Sequence, residues 1–294
     1  MNVDELRWFA AVAEAGQVTK AAADLHISQP ALSRALARMQ RQLGVDLFDR
    51  DGRNLRLNRY GEVFLAHTRR ALAELDGGRR ALEEMAGTES RIVSLGYAPT
   101  LSVWLVPALV SEFRAANPGA VFQLTQDAVK PLIDQLRDGS VDLLVTPRPP
   151  DAKLAWKRLG TERLKLAVPP GHRLAARKRV RLAEAAEEQF VMLKPAYEFR
   201  GLAEDLCRQA GFEPRNGFEA EDIASVRALV AAGLGVAVVP PLHTPGPDAP
   251  ELDLADKHAT RPIGIAWEEH RYRSPMTELF RQFVLQRGPE LARA

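Results

Sequence analysis

Cysteine is nearly absent. Cys207 is the only one among 294 residues, which excludes an intramolecular disulfide framework and a thiolate zinc cluster and fits a reducing compartment. No stretch approaches the roughly 20 apolar residues needed to cross a membrane, and the opening Met1-Asn2-Val3-Asp4-Glu5 lacks the basic region and apolar core of an export signal. A soluble, cytoplasmic chain with no membrane partner is therefore expected. The six histidines, His26, His67, His172, His243, His258 and His270, show no metal-ligand spacing, so neither a metal site nor a cofactor is expected. Nucleophile-elbow and P-loop patterns are also missing, and no catalytic residue is assigned. Gly233-Leu234-Gly235 follows a helical pattern and opens a strand, the reverse of a dinucleotide fingerprint.

What remains is an ordinary globular composition, 46% hydrophobic and 27% charged, in a chain longer than one core usually grows. Two or more domains are expected. Forty Lys and Arg nearly balance 38 Asp and Glu, leaving a net charge of +2, so bulk charge does not point to a polyanion. The distribution does. Between Ser28 and Arg59 lie seven arginines (34, 38, 41, 50, 53, 56 and 59) against three aspartates, an excess of four positive charges.

Leu6, Phe9, Ala10 and Ala13 recur at helical spacing after Asp4, a candidate N-cap, and Gly16 is a candidate stop. A second helix over Thr19 to Leu25 is rich in small residues. Ser28 can cap a third, with Pro30 in its first turn, where the missing N–H goes unneeded. That helix runs to about Leu43, before Gly44. Leu32, Leu36, Met39 and Leu43 share its apolar face, while Gln29, Ser33, Arg34, Ala37, Arg38 and Arg41 lie on its other sides. Asp51-Gly52 predicts the centre of a β-hairpin over Leu47 to Leu57. Two short helices followed by a basic hairpin form a winged helix-turn-helix, whose second helix fits the DNA major groove.

This region resembles the LysR-type regulators. The match runs through Leu6-Arg7-Trp8-Phe9, Gly16-Gln17-Val18-Thr19-Lys20-Ala21-Ala22, His26-Ile27-Ser28-Gln29-Pro30-Ala31-Leu32-Ser33-Arg34, Leu43-Gly44-Val45-Asp46-Leu47-Phe48 and Arg53. It departs at Gln17-Val18, where the family usually carries Ser-Phe. The resemblance implies that Gln29, Ser33 and Arg34 approach base edges while Arg53 enters the flanking minor groove. The chemistry agrees, because Gln pairs bidentately with adenine and Arg with guanine. The candidate DNA-contacting set is Ser28, Gln29, Pro30, Ser33, Arg34, Arg38 and Arg53, on a winged domain of residues 1–60.

Asn58 can cap a further helix in which Leu65, Thr68, Leu72, Leu75, Arg79, Leu82 and Ala86 mark a seven-residue repeat. Arg79 interrupts that seam, and Gly77-Gly78 weaken the helix, so a bend or break near Gly77 is expected. By the resemblance, residues 61–88 form a linker helix that pairs in a homodimer or homotetramer.

From Arg91 short strands alternate with helices, which predicts an α/β fold with parallel strands. Strands are expected at Ile92 to Gly96, Val121 to Thr125, Val141 to Val145, Leu164 to Val168, Gln189 to Leu193, Gly217 to Ala220, Val236 to Pro240 and Ile263 to Trp267. Helices are expected at Ser102 to Ala116, Val129 to Asp138, Phe199 to Ala210, Asp222 to Ala232 and Ser274 to Gln286. The segment from His243 to Lys257, rich in Pro and Asp, reads as a surface loop. Asp142-Leu143-Leu144-Val145, Leu166 to Leu174 and Val230 to Pro240 resemble the LysR-type effector domain, which implies a two-lobed fold of the type 2 periplasmic-binding-protein kind. Residues 91–294 are divided into lobe I, about 91–162 and 267–294, and lobe II, about 163–266.

Ligands of α/β domains sit beyond the carboxyl ends of strands, near helix N-termini. That selects Thr100, Ser102, Gln126, Thr146, Tyr197, Phe199 and Ile223 as effector-binding candidates. Thr100 and Ser102 offer hydroxyls that suit an anion or simply cap a helix. The run Arg173, Arg177, Lys178, Arg179 and Arg181 reads as a solvated surface, and Cys207 as a small core residue. The expected partners are double-stranded operator DNA and a small, anionic effector. An enzyme on the same two-lobed fold would leave residues 1–60 unexplained, and a DNA-packaging protein would need no ligand cleft.

Overall fold

A computed structural model of the protein describes residues 1–51, 54–85, 91–150, 154–243 and 249–293. Two compact units divide near residue 90.

The first opens with α1 (Val3–Ala15), α2 (Val18–Asp24) and α3 (Gln29–Leu43). The cap of α1 is Asn2, not Asp4. The Asn2 carboxamide accepts from the Glu5 N–H at 2.9 Å and the Glu5 carboxylate accepts from the Asn2 N–H at 3.1 Å, a reciprocal capping box. The spacing of Asn2 and Glu5, three residues apart, carried that signal. As expected, Ser28 caps α3 by accepting from the Ala31 N–H, and Gly44 ends it at φ +73°, where a side chain would be strained. Phe9, Val12, Leu32, Met39 and Leu47 are fully buried, with the Phe9 ring 5.5 Å from Phe48 and 5.3 Å from Phe64.

The wing is β1 (Phe48–Asp51) paired antiparallel with β2 (Asn54–Leu57). Its register joins Asp51 to Asn54, so Asp51 belongs to a strand rather than to the expected turn centre, whose other residue, Gly52, lies outside the described residues. Arg53 itself lies outside the described residues. The Asn58 side chain accepts from the Gly61 N–H at 3.0 Å and starts α4 (Arg59–Met85). The break expected near Gly77 does not occur, because α4 is helical through both glycines. Glycine costs helix propensity but keeps its backbone N–H, so the hydrogen-bond ladder continues. Of the seven-residue repeat, Leu65 packs against the core of this unit, Thr68 is buried, Leu75, Arg79 and Leu82 are exposed, and Ala86 lies outside the described residues.

The second unit has two lobes. Lobe I is a five-stranded sheet ordered β4 (Val121–Gln126), β3 (Ile92–Tyr97), β5 (Leu143–Thr146), β13 (Thr260–Trp267), β6 (Ala155–Arg163). β3 runs parallel to β4 and β5, whereas β13 is antiparallel to β5 and β6, so the sheet is mixed rather than parallel throughout. Around it pack α5 (Leu105–Ala116), α6 (Val129–Asp138) and α9 (Pro275–Leu291), with Phe113 against Phe280 at 5.0 Å. Lobe II holds β7 (Lys165–Ala167), β8 (Arg179–Val180), β9 (Gln189–Leu193), β10 (Arg215–Ala220), β11 (Ala237–Val239) and β12 (Glu251–Leu254), with α7 (Glu198–Gln209) and α8 (Ile223–Ala231). Its four-stranded sheet runs β11-β7-β12-β8, and β9 pairs parallel with β10.

Three expectations need correction here. The segment between His243 and Lys257 is not all loop, because β12 lies within it, burying Leu252 and Leu254 with the exposed Asp253 between them. The return to lobe I comes earlier than residue 267, since β13 is already in that sheet from Thr260; the Leu164 N–H donates to the Ala259 carbonyl at 2.9 Å, tying the two crossovers together. α5 begins at Leu105, not Ser102, because a 3-10 turn at Pro99–Leu101 comes first and leaves Ser102 behind it.

Gly235 enters β11 at φ +149°, and a Cβ there would lie 2.5 Å from the Gln189 carbonyl oxygen. Both the dihedral and the backbone contact forbid a side chain. Gly235→Ala is expected to destabilise the second unit by about 1–3 kcal/mol, read as a lower midpoint in urea denaturation. An unchanged midpoint would show that the β9–β11 seam yields.

Candidate DNA interface and effector cleft

α3 places its polar residues on the face opposite Leu32, Leu36 and Met39. Ser28, Gln29 and Pro30 at its start and Arg34 one turn on are exposed, with Ser33 half-buried. The Gln29 amide donates to the Ser33 hydroxyl at 2.9 Å, which orders both side chains before any partner arrives. Arg34 makes no ion pair or hydrogen bond among the described residues and presents a free guanidinium. Arg38 differs from that expectation. Its Nε and Nη2 both donate to the Glu5 carboxylate, itself only 5% exposed, so Arg38 clamps α3 to α1. Hydrogen bonding from Arg38 holds the Glu5 carboxyl below its ordinary pKa, against the opposing pull of burial. Gln17, where the sequence departs from the family pattern, donates to Asn54 Oδ1 at 2.8 Å and ties the start of α2 to the wing.

In the second unit a cavity of about 790 Å³ opens between the lobes, within the size range of small-molecule sites. Six of the seven effector candidates line it: Thr100, Ser102, Gln126, Tyr197, Phe199 and Ile223. Thr146 does not. It is fully buried in β5, and its hydroxyl donates to the Arg148 carbonyl at 3.2 Å. Ser102 caps no α-helix; its hydroxyl donates to the Pro99 carbonyl at 2.8 Å.

The polar centre of the cleft is one that loop-based reasoning missed. Arg261, 2% exposed, donates from Nε to Glu162 Oε2 and from Nη1 to Thr100 Oγ1 at 2.9 Å. The other Glu162 oxygen lies 3.3 Å from His243 Nε2, and the His243 ring stacks on Trp104 at 3.8 Å between centroids. An ionised carboxylate only accepts, so that ring nitrogen carries the proton. Burial pushes the Glu162 carboxyl up, but the His243 hydrogen bond and the Arg261 charge outweigh it and hold the pKa below the ordinary value. Arg261 and Glu162 face each other across β13 and β6. Their pairing depends on strand register, which no local pattern in either segment encodes. Across the cleft, Glu198 at the start of α7 accepts from the Val129 N–H at 3.2 Å and so caps α6 from the opposite lobe.

Two other features stay outside the site. The basic run of lobe II is partly neutralised, with Arg173 on Glu188 and Arg177 on Glu184. Cys207 is fully buried, and burial pushes its thiol up to about 12, which leaves no reactive thiolate near neutral pH.

Among the described residues, no helix is long and apolar enough to cross a membrane. Residues 3–62 match the profile of the bacterial regulatory helix-turn-helix protein, lysR family, and residues 86–289 that of the LysR substrate binding domain. The chain is 37% identical to an uncharacterized HTH-type transcriptional regulator, YybE, of Bacillus subtilis (strain 168), over 99% of this chain and all of that one. It is 33% identical to the transcriptional dual regulator GltC of the same organism, over 97% of each. The crystal structure of CbnR, a LysR family transcriptional regulator, superposes with a TM-score of 0.72 at 25% identity, over 97% of this chain and 99% of that one.

The depressed Glu162 pKa sets a direction for acid stability. A carboxyl with a folded value below its unfolded one, about 4.3, contributes fully above that range and loses the contribution as pH falls through the folded value. Thermal melts of the full chain are expected to lose midpoint on acidification below about pH 5. Glu162→Gln should flatten that limb and cost about 3–5 kcal/mol at neutral pH by leaving Arg261 without its counter-charge. An acid limb unchanged by the substitution would assign it to other carboxylates.

Proposed function

The chain belongs to the LysR family of bacterial transcriptional regulators, and from that premise we propose that it is a cytoplasmic regulator whose operator binding is controlled by a small molecule held between the lobes of its second unit. As a family member it is a DNA-binding transcriptional regulator with an effector-binding domain, not an enzyme. The observation that carries the finer reading is the coexistence in one chain of a capped helix with a free polar face and an interlobe cavity of about 790 Å³.

On α3, Gln29, Ser33 and Arg34 are the base-reading set, with Ser28 and Pro30 at the helix start beside the phosphate backbone and Arg53 in the minor groove. Arg38 is better placed as a clamp than as a reader, because Glu5 already takes its guanidinium. Assembly as a homodimer or homotetramer is supported by the exposed side chains of Tyr60, Val63, Leu75 and Leu82 on α4, which a partner helix would cover. The cytoplasmic reading rests on DNA as the partner and a buried, unpaired thiol.

Arg34→Ala is expected to weaken operator binding by about 1–3 kcal/mol and to relax preference at one base position per half-site. Selection of bound sequences from a random pool checks this, and an unchanged preference would remove Arg34 from the reading set. Ala224, exposed and lining the cleft, tests the other end. Ala224→Trp should fill the cavity, leave the genomic footprint of the purified protein intact, and abolish the growth-condition response of a reporter driven by a footprinted promoter. A normal response from that variant would place effector control outside the cleft.

A further inference from the structure

Arg261 holds an unused donor. Its guanidinium is 2% exposed and lines the cleft, yet Nη2 has no hydrogen-bond partner among the described residues. Buried donors of a charged group are costly to leave unpaired, and the other two nitrogens of this fork are taken by Glu162 and Thr100. We propose that Arg261 is the head-group anchor of the cleft and that its ligand is a monocarboxylate with an apolar body, an assignment that rests on the effector reading above.

The stereochemistry follows from the present partners. Nη1 donates to the Thr100 hydroxyl oxygen, so the end of the fork formed by Nη1 and Nη2 is closed only by a neutral group that also lines the cleft. A carboxylate displacing that hydroxyl as acceptor receives Nη1 and Nη2 together, fork to fork, and leaves the Thr100 O–H free to donate to it. The geometry favours one negative charge and not two. Glu162 balances Arg261, and Arg227, which also lines the cleft, is balanced by Glu251, so neither guanidinium brings an uncompensated charge to the ligand. The body of the ligand meets apolar surface. The Phe199 ring lies 5.2 Å from the Arg261 guanidinium carbon, and the Trp104–His243 stack stands beside the same Glu162.

Calorimetry on the full chain tests the assignment with benzoate and cinnamate, their amides, and inorganic phosphate. The expected result is that each acid binds at least ten-fold more tightly than its amide and that phosphate does not bind. Arg261→Lys keeps a positive charge beside Glu162 but removes the planar fork, and it should lose at least ten-fold in acid affinity while the amides are unaffected. Because a lone substitution can upset the buried pair, Arg261→Met combined with Glu162→Gln serves as the charge-balanced control and should show the same loss. Equal binding of acid and amide by the natural protein, binding of neither, preference for phosphate, or undiminished acid affinity in both variants would overturn the assignment. These outcomes are read without DNA, so they judge the head group alone, whereas the footprint and reporter experiment judges regulation through the cleft.

Discussion

The second unit turns on a pair of opposite charges buried where the chain changes lobes. Glu162 is the penultimate residue of β6 and Arg261 the second of β13, facing each other immediately before the crossover at Leu164 and after the one at Ala259. Burying two charges costs several kcal/mol per ion unless they meet each other and their remaining donors and acceptors are satisfied. Here the carboxylate is satisfied on both oxygens, by Arg261 and His243, while the guanidinium is satisfied on two nitrogens of three. The pair therefore sits at the two crossovers, where the register of β6 and β13 brings it, and at the same point leaves polar capacity facing the cleft. Both lobes converge on it, since Thr100 and Trp104 come from lobe I and Phe199 and His243 from lobe II or its return.

The first unit solves a different problem with similar means. A helix that must show polar residues to a partner cannot also hold itself in place with them. The clamp is therefore delegated to Arg38, which reaches back to a Glu5 already fixed by its own capping box. Arg34, one turn earlier, is left without a partner among the described residues. Two arginines four residues apart on one helix are thus held differently, and the difference lies in whether a buried carboxylate stands within reach.

Much of this was legible in the chain. Ser28, Pro30 and Gly44 marked α3 because caps and stops are local devices, decided within a few residues. The apolar spacing of Phe9, Leu32 and Met39 marked the core of the winged domain, because period 3.6 is a local property as well. Most of the loops lining the cleft followed from the alternation of strands and helices. The errors share a different cause. Ser102, read as either an anion ligand or a helix cap, lines the cleft but caps no α-helix, because Pro99–Leu101 form a tighter turn that uses its hydroxyl first. Thr146 followed a strand as a ligand residue should, yet it belongs to the fully buried β5. β12 was hidden in a Pro- and Asp-rich stretch because its pairing with β7 and β8 outweighs a weak local pattern.

The amino-acid sequence by itself determined the helices, their caps, the wing, the two-part organisation and the family, since each depends on residue order over short spans. Only the tertiary structure decided that Arg38 is a clamp, that α4 runs unbroken through Gly77 and Gly78, and that Arg261, Glu162, His243 and Thr100 form one polar cluster. Arg261 and Glu162 lie 99 positions apart in sequence. Their meeting is set by strand register across a hinge, and register is chosen by the packing of whole sheets rather than by any property of the two segments alone.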